Sequence, residues 1–370
     1  MKRFLGLVLI AFISTNIFAI DFGGLISSDS SFDKQGSDDF VFTEKLDSSA
    51  YIKIPFSKDG KISLASEFLY RFQYSDSKIN HYLDLPLFKL NFSGDVGTGV
   101  LDIYAGRYSV SDSTAKIFNQ TSDGMFVSYS TAPFVTSFYI GYTGLVNRYL
   151  VSMVEGDITE YSGFSSDFYT SSLPYLALAA NASMPNLVAG QNLGLGFWGF
   201  IGIQNLESNK YYGTVTINGP IAGNLYHTTE GIFAAITRKD TTRMSGFASA
   251  KLSYYFNWLG LSANAGLSYA SEDFETVTAT SGLVNGAPWT NVMVPTLSMS
   301  ILPLPSLYIG AEANVPLTAD EMEYTGVGVV GMVSYQLFSD VSLGISANHF
   351  AAKEEAQKQT KISIRASISF

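Results

Sequence analysis

The chain has 370 residues, of which 15% are charged and 14% aromatic, with 33 glycines, no cysteine and a formal net charge of −10. The negative charge disfavours nucleic acid as a partner, because neutralising phosphates requires a basic surface, and the absence of cysteine excludes disulfides and thiolate metal sites. Low charge and many aromatic residues, without an apolar stretch of membrane-helix length past the N-terminus, are instead typical of a membrane-embedded β-sheet.

The first 19 residues predict a secretory signal peptide. Lys2 and Arg3 precede an apolar run from Phe4 to Ile13, and small residues up to Ala19 provide a cleavage site. The run is about ten residues long, whereas a helix needs roughly 20 to cross a bilayer, so an uncleaved anchor is the weaker interpretation. We expect cleavage after Ala19, which leaves residues 20–370 as a single transmembrane β-barrel domain.

Alternation of apolar and polar residues marks the predicted strands, because a barrel strand shows one face to lipid and the other to the lumen. The segment from Leu46 to Phe56 alternates in this way, and so does the segment from Lys61 to Tyr74. Segments 248–256, 261–269 and 307–315 repeat the pattern. We therefore predict strands at these positions, with their polar side chains facing the lumen.

Short turns and longer polar stretches also alternate along the chain, which favours tight periplasmic turns and longer external loops. Counting strands between them gives eighteen, an even number that places both termini at the periplasmic side. Region 205–242 alternates poorly, and a single connection there would lower the count to sixteen. The predicted fold class is all-β, a transmembrane antiparallel up-and-down β-barrel of 16–18 strands, with 18 preferred. Such a barrel encloses water, because side chains fill the interior only near eight strands.

Charged residues on the predicted luminal face are the candidate pore-lining residues, and Lys89 joins them if a bulge lies at Pro86. Bases outnumber acids six to three in this set, whereas the predicted loops are acidic. We predict a channel that slightly favours small anions or is nearly nonselective; alternatively, the charges pair across strands and only keep the wall hydrated. The set comprises Lys45, Asp47, Lys53, Glu67, Arg71, Lys89, Lys251, Glu312 and Arg365.

The last strand alternates cleanly and stops on an aromatic residue. It resembles the C-terminal signature of bacterial outer-membrane proteins, in which the final strand closes the barrel and is recognised by the assembly machinery. The alternative is an ordinary amphipathic strand of a soluble sandwich. The resemblance assigns barrel closure and the assembly signal to Ile362, Ile364, Ile368 and Phe370.

The stretch from Asp102 to Tyr108, followed by the stretch from Asn119 to Met125, resembles a pattern of porins and alginate-export-type barrels. There, a strand ends in Gly-Arg before an external loop and the next strand opens with Asp-Gly. The resemblance implies a diffusion or export channel of sixteen to eighteen strands, with Arg107 lining the pore near its constriction. Alternation from Leu101 instead places Arg107 at the outer lipid boundary, and both alternatives stay open.

The sequence predicts no catalytic residue, no metal site and no cofactor. The chain has three histidines, and the one local pair, His227 with Glu230, falls on opposite faces of a strand. The expected partners are outer-membrane lipid, the barrel-assembly machinery and small hydrophilic solutes; a homotrimer and a monomer both stay open.

The leading hypothesis is an outer-membrane channel for passive diffusion of small hydrophilic solutes. The first rival is a surface adhesin or structural barrel that binds external partners through its loops. A second rival, a transporter of hydrophobic substrates, would carry an N-terminal hatch. Loop 145–172 is the best candidate either to fold into the pore or to meet an external partner.

Overall fold

The computed structural model describes residues 20–154, 164–203, 206–278 and 288–370. The predicted signal peptide lies outside these residues. Within them, no helix is both long and apolar enough to span a membrane. The strands are β1 (Asp21–Gln35), β2 (Val41–Pro55), β3 (Ile62–Ser75), β4 (Lys78–Val96), β5 (Gly99–Ser111), β6 (Asn119–Ser130), β7 (Val135–Tyr142), β8 (Tyr175–Val188), β9 (Gln191–Gly202), β10 (Ser208–Ala222), β11 (Leu225–Arg238), β12 (Thr241–Tyr255), β13 (Ser262–Ala270), β14 (Val292–Leu304), β15 (Leu307–Asn314), β16 (Leu317–Thr318), β17 (Gly326–Gln336), β18 (Val341–Ala352) and β19 (Gln359–Ser369).

The sheet closes on itself. Each long strand pairs antiparallel with its chain neighbours, and β19 pairs with β1. Strand β16 has only two residues and pairs with the first two residues of β14, so the remaining eighteen strands form the barrel. The predicted up-and-down barrel is therefore confirmed, with the larger of the two strand counts.

The region that alternates poorly in the sequence forms two full strands. β10 and β11 pair from Ser208 opposite Arg238 down to Ala222 opposite Leu225. Val215 and Ile217 share one face of β10, while Thr214 and Thr216 share the other. Small and hydroxylated residues blur the hydrophobic contrast here, but the two-residue side-chain period is kept.

The C-terminal residue takes part in barrel closure. The Phe370 amide donates to the Gly24 carbonyl at 3.0 Å, and the Gly24 amide donates to the Phe370 carbonyl at 2.9 Å. A Cβ at Gly24 would lie 2.4 Å from the Phe370 ring, so the ring needs glycine beneath it. Ile362, Ile364 and Ile368 pair with β1 on the same face of β19. Recognition of this strand by an assembly machinery stays a prediction.

The loop between β5 and β6, residues 112–118, identifies the inner face of the barrel. Ser113 lies 3.3 Å from Thr214 on β10, and Lys116 lies 3.7 Å from Glu230 on β11. A short loop reaches strands so far around the sheet only by crossing the interior. The face that carries Thr214 and Glu230 is therefore the inner face, and the register extends this assignment to every strand.

The opposite face is the outer face, and it carries large exposed apolar side chains. Phe138, Phe233 and Leu297 are 59%, 58% and 65% exposed. An apolar band of this kind is what a lipid-facing barrel wall requires.

Charge is almost completely confined to the inner face. Across the described strands, the charged side chains that register on the outer face are Lys34, Glu44, Arg107 and Asp123; all others register inward. Lys34 stands at the end of β1, and Arg107 pairs with Asp123. The Glu44 carboxylate accepts hydrogen bonds from the Ser28 and Ser30 hydroxyls. Such segregation indicates an aqueous interior and a lipid exterior.

Part of the interior is filled by an apolar core. Inner-face residues of β5 to β14 pack around loop residues Ile117 and Phe118, which are fully buried. The Phe118 ring lies 5.9 Å from the Trp198 ring and 5.2 Å from the Phe200 ring, measured between centroids. We call this side of the lumen the filled sector. The rest, lined by β15, β17 to β19 and β1 to β4, is the polar sector.

Strands β4 and β5 separate toward the loop end of the barrel, which is the end opposite the termini. Their pairing begins only at Phe88 opposite Arg107, so the stretch of β4 from Lys78 to Leu87 pairs with β3 alone. The connection between β7 and β8 lies against this free edge: the Leu83 amide donates to the Phe168 carbonyl at 3.4 Å. Gly106, at the point of separation, has φ +120° and leaves no room for a Cβ beside the Phe88 carbonyl.

Candidate channel and its constriction

Three connections at the loop end meet inside the barrel. The Ile117 carbonyl accepts hydrogen bonds from the amides of Val277 and Thr278, at 2.9 and 3.1 Å. The Asn119 amide donates to the Thr278 hydroxyl at 3.0 Å, and the Val154 amide donates to the Val277 carbonyl at 2.9 Å. Residues 112–118, 146–154 and 271–278 thus form one hydrogen-bonded constriction.

Asp112 holds the first of these connections in shape. Its buried carboxylate accepts hydrogen bonds from the amides of Thr114, Ile117 and Phe118, at 2.8, 2.9 and 2.9 Å. These bonds satisfy backbone donors that would otherwise be buried without partners. They also fix the turn that carries Lys116 and Phe118 into the lumen.

Glu275 ties the third connection to the barrel wall. Its carboxylate forms ion pairs with Lys210 on β10 and Arg238 on β11. The Tyr212 hydroxyl donates to the Glu275 carbonyl at 2.8 Å, and Lys210 also donates to the Thr276 carbonyl at 3.2 Å. The Lys210 side chain is fully buried, so its charge depends on this partner.

Hydrogen bonds also join the connections at the rim. Asn291 donates to the Asp320 carboxylate at 3.0 Å, and Asp320 lies in the connection between β15 and β17. This side-chain hydrogen bond, with a second from the Glu321 amide, lowers the pKa of Asp320 below its usual value. The rim therefore keeps a negative charge at Asp320.

The polar sector carries most of the predicted pore-lining residues, and some of them pair. Arg71 on β3 binds Asp47 on β2 through two nitrogens, at 2.6 and 2.7 Å. Arg365 on β19 binds Asp29 on β1 at 3.1 Å. The pairs support the alternative in which luminal charges neutralise one another across strands.

Four lysines of this sector form a different group. Lys45, Lys53, Lys89 and Lys361 face inward and have no carboxylate within 4 Å among the described residues. The Lys89 ammonium instead lies 4.5 Å from the centre of the Tyr104 ring. We call these four residues the lysine strip; Lys45, Lys53 and Lys361 each lie opposite an acid in the strand register, at a distance beyond that of an ion pair.

The register also locates the other predicted residues. Glu67 faces inward on β3, and Lys89 does so after the register shift between Glu67 and Leu69, opposite the segment that contains Pro86. Lys251 on β12 and Glu312 on β15 also face inward. Their role as pore-lining residues stays a prediction.

Arg107 does not join this group. It pairs in register with Phe88 and Asp123, on the face opposite to that of Lys89. Its guanidinium lies 3.1 Å from Asp84 and 2.9 Å from Asp123, and it donates to the Leu145 carbonyl at 2.6 Å. These contacts occupy its donors where β4 and β5 separate. The contacts connect β4, β6 and the connection after β7 at this point of the wall, and a role of Arg107 in lining the pore stays a prediction.

Several inner-face charges are absent from the sequence-based set. Adding the five residues named below changes six bases and three acids into eight bases and six acids, so the relative excess of positive charge on the inner wall becomes smaller. Asp29 and Asp33 lie in the serine-rich first strand, where alternation is weak, although counting inward from the β1–β2 turn would have found them. The additional residues include Asp29, Asp33, Glu230, Lys361 and, from a loop, Lys116.

The connection at 145–172 is only partly described, because residues 155–163 lie outside the described ranges. Asn147, at its start, donates to the Leu83 carbonyl at 3.2 Å, and Met153 forms a β-bridge with Thr278. The described part thus contacts both the barrel wall and the constriction. Contact with an external partner stays a prediction.

The histidine and acid that are close in sequence, His227 and Glu230, do not come together in the described part of the chain. His227 lies on the outer face of β11, 2.7 Å from the Gln191 side chain, whereas Glu230 faces inward. Within the described ranges, no group of three or more potential ligands could hold a metal ion. The expectation of no catalytic activity stays a prediction.

The chain matches no model of a known protein family and no curated protein. Its fold is similar to that of solved Pseudomonas barrels. A BenF-like porin from Pseudomonas fluorescens Pf-5 gives a TM-score of 0.66 at 11% identity, over 95% of this chain and 98% of the porin. Pseudomonas aeruginosa OccK2 (OpdF), in complex with glucuronate, gives 0.65 at 13% identity, over 95% and 98%. Pseudomonas aeruginosa OpdK, with vanillate, gives 0.59 at 10% identity, over 95% and 98%. At these identities the likeness shows a shared fold.

Proposed function

We propose that this protein is an integral outer-membrane channel for passive diffusion of small hydrophilic solutes. The observation that carries the proposal is the confinement of strand charges to the inner face, with an apolar face outside. A charged lumen in an eighteen-stranded barrel has to be hydrated, because side chains alone do not fill a barrel of this width.

The structural neighbours support the same class of function. One is described as a porin, and two others were solved with glucuronate or vanillate, both small solutes. Short turns at the end that carries the termini and longer connections at the other end support an orientation with the termini in the periplasm and the constriction near the cell exterior. We also propose that the barrel-assembly machinery recognises the final strand, which ends at Phe370.

The lysine strip makes the channel weakly anion-preferring. Paired charges such as Arg71 with Asp47 contribute little to selectivity, because each cancels the field of the other. Unpaired ammonium groups attract anions over about 10 Å at 0.1 M salt. The expected preference is small, since Asp21, Asp29 and Asp33 lie opposite three of these lysines in the strand register and offset part of their charge.

Planar bilayers test both statements. The purified, refolded barrel should show stepwise conductance, with a reversal potential that favours anions under a salt gradient. A variant with Lys45→Gln, Lys53→Gln and Lys361→Gln should lose most of that preference. Lys34→Gln is the matched control, because Lys34 faces outward beside Phe40 and should leave the reversal potential unchanged.

Two outcomes would contradict the proposal. A correctly folded barrel without conductance would favour the adhesin or structural role. A channel that strongly prefers cations would remove the anion preference while leaving the channel function in place.

A further inference from the structure

Beneath the constriction lies a cleft on the wall opposite the lysine strip. It has a volume of about 300 Å³ and is bounded by the inner faces of β11 to β15, with Lys116 and Trp289 above it. This volume is at the lower end of the range that holds small molecules. We call it the β11–β15 cleft.

The ionisable groups of the cleft balance. Two bases, Lys116 and Lys251, face two acids, Glu230 and Glu312. Lys116 lies 3.7 Å from Glu230, which also accepts a hydrogen bond from the Ser249 hydroxyl at 2.9 Å. A balanced set of charges gives no net attraction for either an anion or a cation, in contrast to the lysine strip.

Hydroxyl groups supply the remaining polarity. Thr228, Ser268 and Thr296 line the cleft, and their side chains form no hydrogen bond with described residues. Asn264 donates to the Ser298 hydroxyl at 3.0 Å and lies beside them. A hydroxyl both donates and accepts, so this wall is matched to a ligand that also carries several hydroxyls.

Trp289 lies between the cleft and a second cavity on the loop side, which we call the vestibule. The vestibule has a volume of about 630 Å³ and is lined by the same side chain together with Arg243 and Asp273. Its ring packs against Phe247, with centroids 5.3 Å apart, and Lys116 lies 5.9 Å from its centre. Because Trp289 is only 7% exposed, it forms a partition between the two cavities.

We propose that the β11–β15 cleft is a binding subsite for an uncharged polyhydroxylated solute, a sugar or polyol, and that Trp289 controls its entry from the vestibule. The proposal deepens the proposed channel function and rests on it. With this subsite the lumen has two walls of different chemistry: a basic wall along the lysine strip and a neutral, hydroxyl-rich wall along β11 to β15.

The test uses D-glucose as the probe and the full-length barrel in planar bilayers. Glucose should reduce the ionic current, and Thr228→Val should raise the half-blocking concentration about threefold to tenfold, the effect of losing one hydrogen bond. Thr237→Val is the matched control, because Thr237 lies on the outer face of the same strand and should leave the block unchanged.

Variants of the partition test its role. Trp289→Ala, which joins the two cavities, should shorten the glucose blocks, whereas Trp289→Phe should keep them close to wild type. Resistance of each variant to heat unfolding in detergent verifies that the barrel is intact. Equal blocks in wild type and Trp289→Ala would overturn the partition.

The outcomes separate this inference from the proposed function. Normal conductance without any glucose block would overturn the subsite and leave the channel standing. A block by glycine but not by glucose would replace the polyol with a zwitterion and overturn the class. If the barrel does not conduct, glucose titration monitored by tryptophan fluorescence still tests the cleft, because Trp289→Phe should abolish the change and an absent change would overturn it.

Discussion

The filled sector and the polar sector of the lumen are built from the same alternating strands, yet they differ in what the inner face carries. In the filled sector, Trp198, Phe200 and Tyr212 face inward and are buried by Phe118 from a loop. In the polar sector, Asp29 and Arg71 face inward in ion pairs with neighbouring strands, and a loop contact, that of Tyr149 with Tyr82, lies near the loop end. Loops therefore fold where the wall offers apolar surface, and the channel is left where the wall is charged.

The difference between the two sectors explains how a wide barrel can contain a narrow pathway for ions and solutes. Burial of the loop residues removes apolar surface from water and anchors the constriction on one side. Ion pairs on the opposite side keep that wall hydrated and resist the approach of an apolar loop. The position of the path is thus decided by the distribution of apolar side chains among the inner faces.

The largest effect is expected from Phe118→Ala. Phe118 is fully buried between the loop and the aromatic wall, so its removal should destabilise the filled sector by about 3 to 5 kcal/mol. The loss should lower the temperature of the heat-modifiable transition in detergent and raise single-channel conductance as the loop withdraws. Phe233→Ala on the lipid-facing side of β11 is the control. An unchanged conductance in a destabilised Phe118→Ala barrel would show that the loop does not limit the path.

A smaller effect is expected from Glu275→Gln. The substitution leaves Lys210 buried without a carboxylate, which should cost about 3 kcal/mol. Noise in the open-channel current should rise, because residues 271–278 lose their tie to β10 and β11. Asp273→Asn breaks the more exposed pair with Arg243 and should change stability by at most about 1 kcal/mol. Equal effects of the two variants would refute the anchoring role of Glu275.

Much of this architecture is predictable from local sequence, because side-chain alternation is set by the backbone of each strand. Lys45, Asp47, Arg71 and Arg365 are placed on one face by alternation alone, and the structure keeps them on one face. Pro86 marks the irregularity that brings Lys89 inward, since proline removes a donor from the ladder.

Local side-chain alternation does not predict the constriction, because the constriction depends on contacts between distant strands. The apolar Ile117 and Phe118 in an otherwise polar connection were the available signal, but only the closed barrel brings them against Trp198. Arg107 shows the same limit. Its strand position allowed two orientations, and its contact with the distant Leu145, where β4 and β5 separate, does not follow from local alternation.

The finest test of the two sectors is Asp47→Asn. Removing this carboxylate releases the Arg71 guanidinium from its bidentate pair and adds one unpaired positive charge to the polar sector. The anion-to-cation permeability ratio should rise by about twofold at 0.1 M salt, and the rise should fade at 1 M, where the screening length falls to about 3 Å. Ser346→Ala, a neutral change on the inner face of β18, should leave the ratio unchanged. A ratio that does not respond to Asp47→Asn at low salt would mean that ions pass along the filled sector instead, and the assignment of the path to the polar sector would have to be reversed.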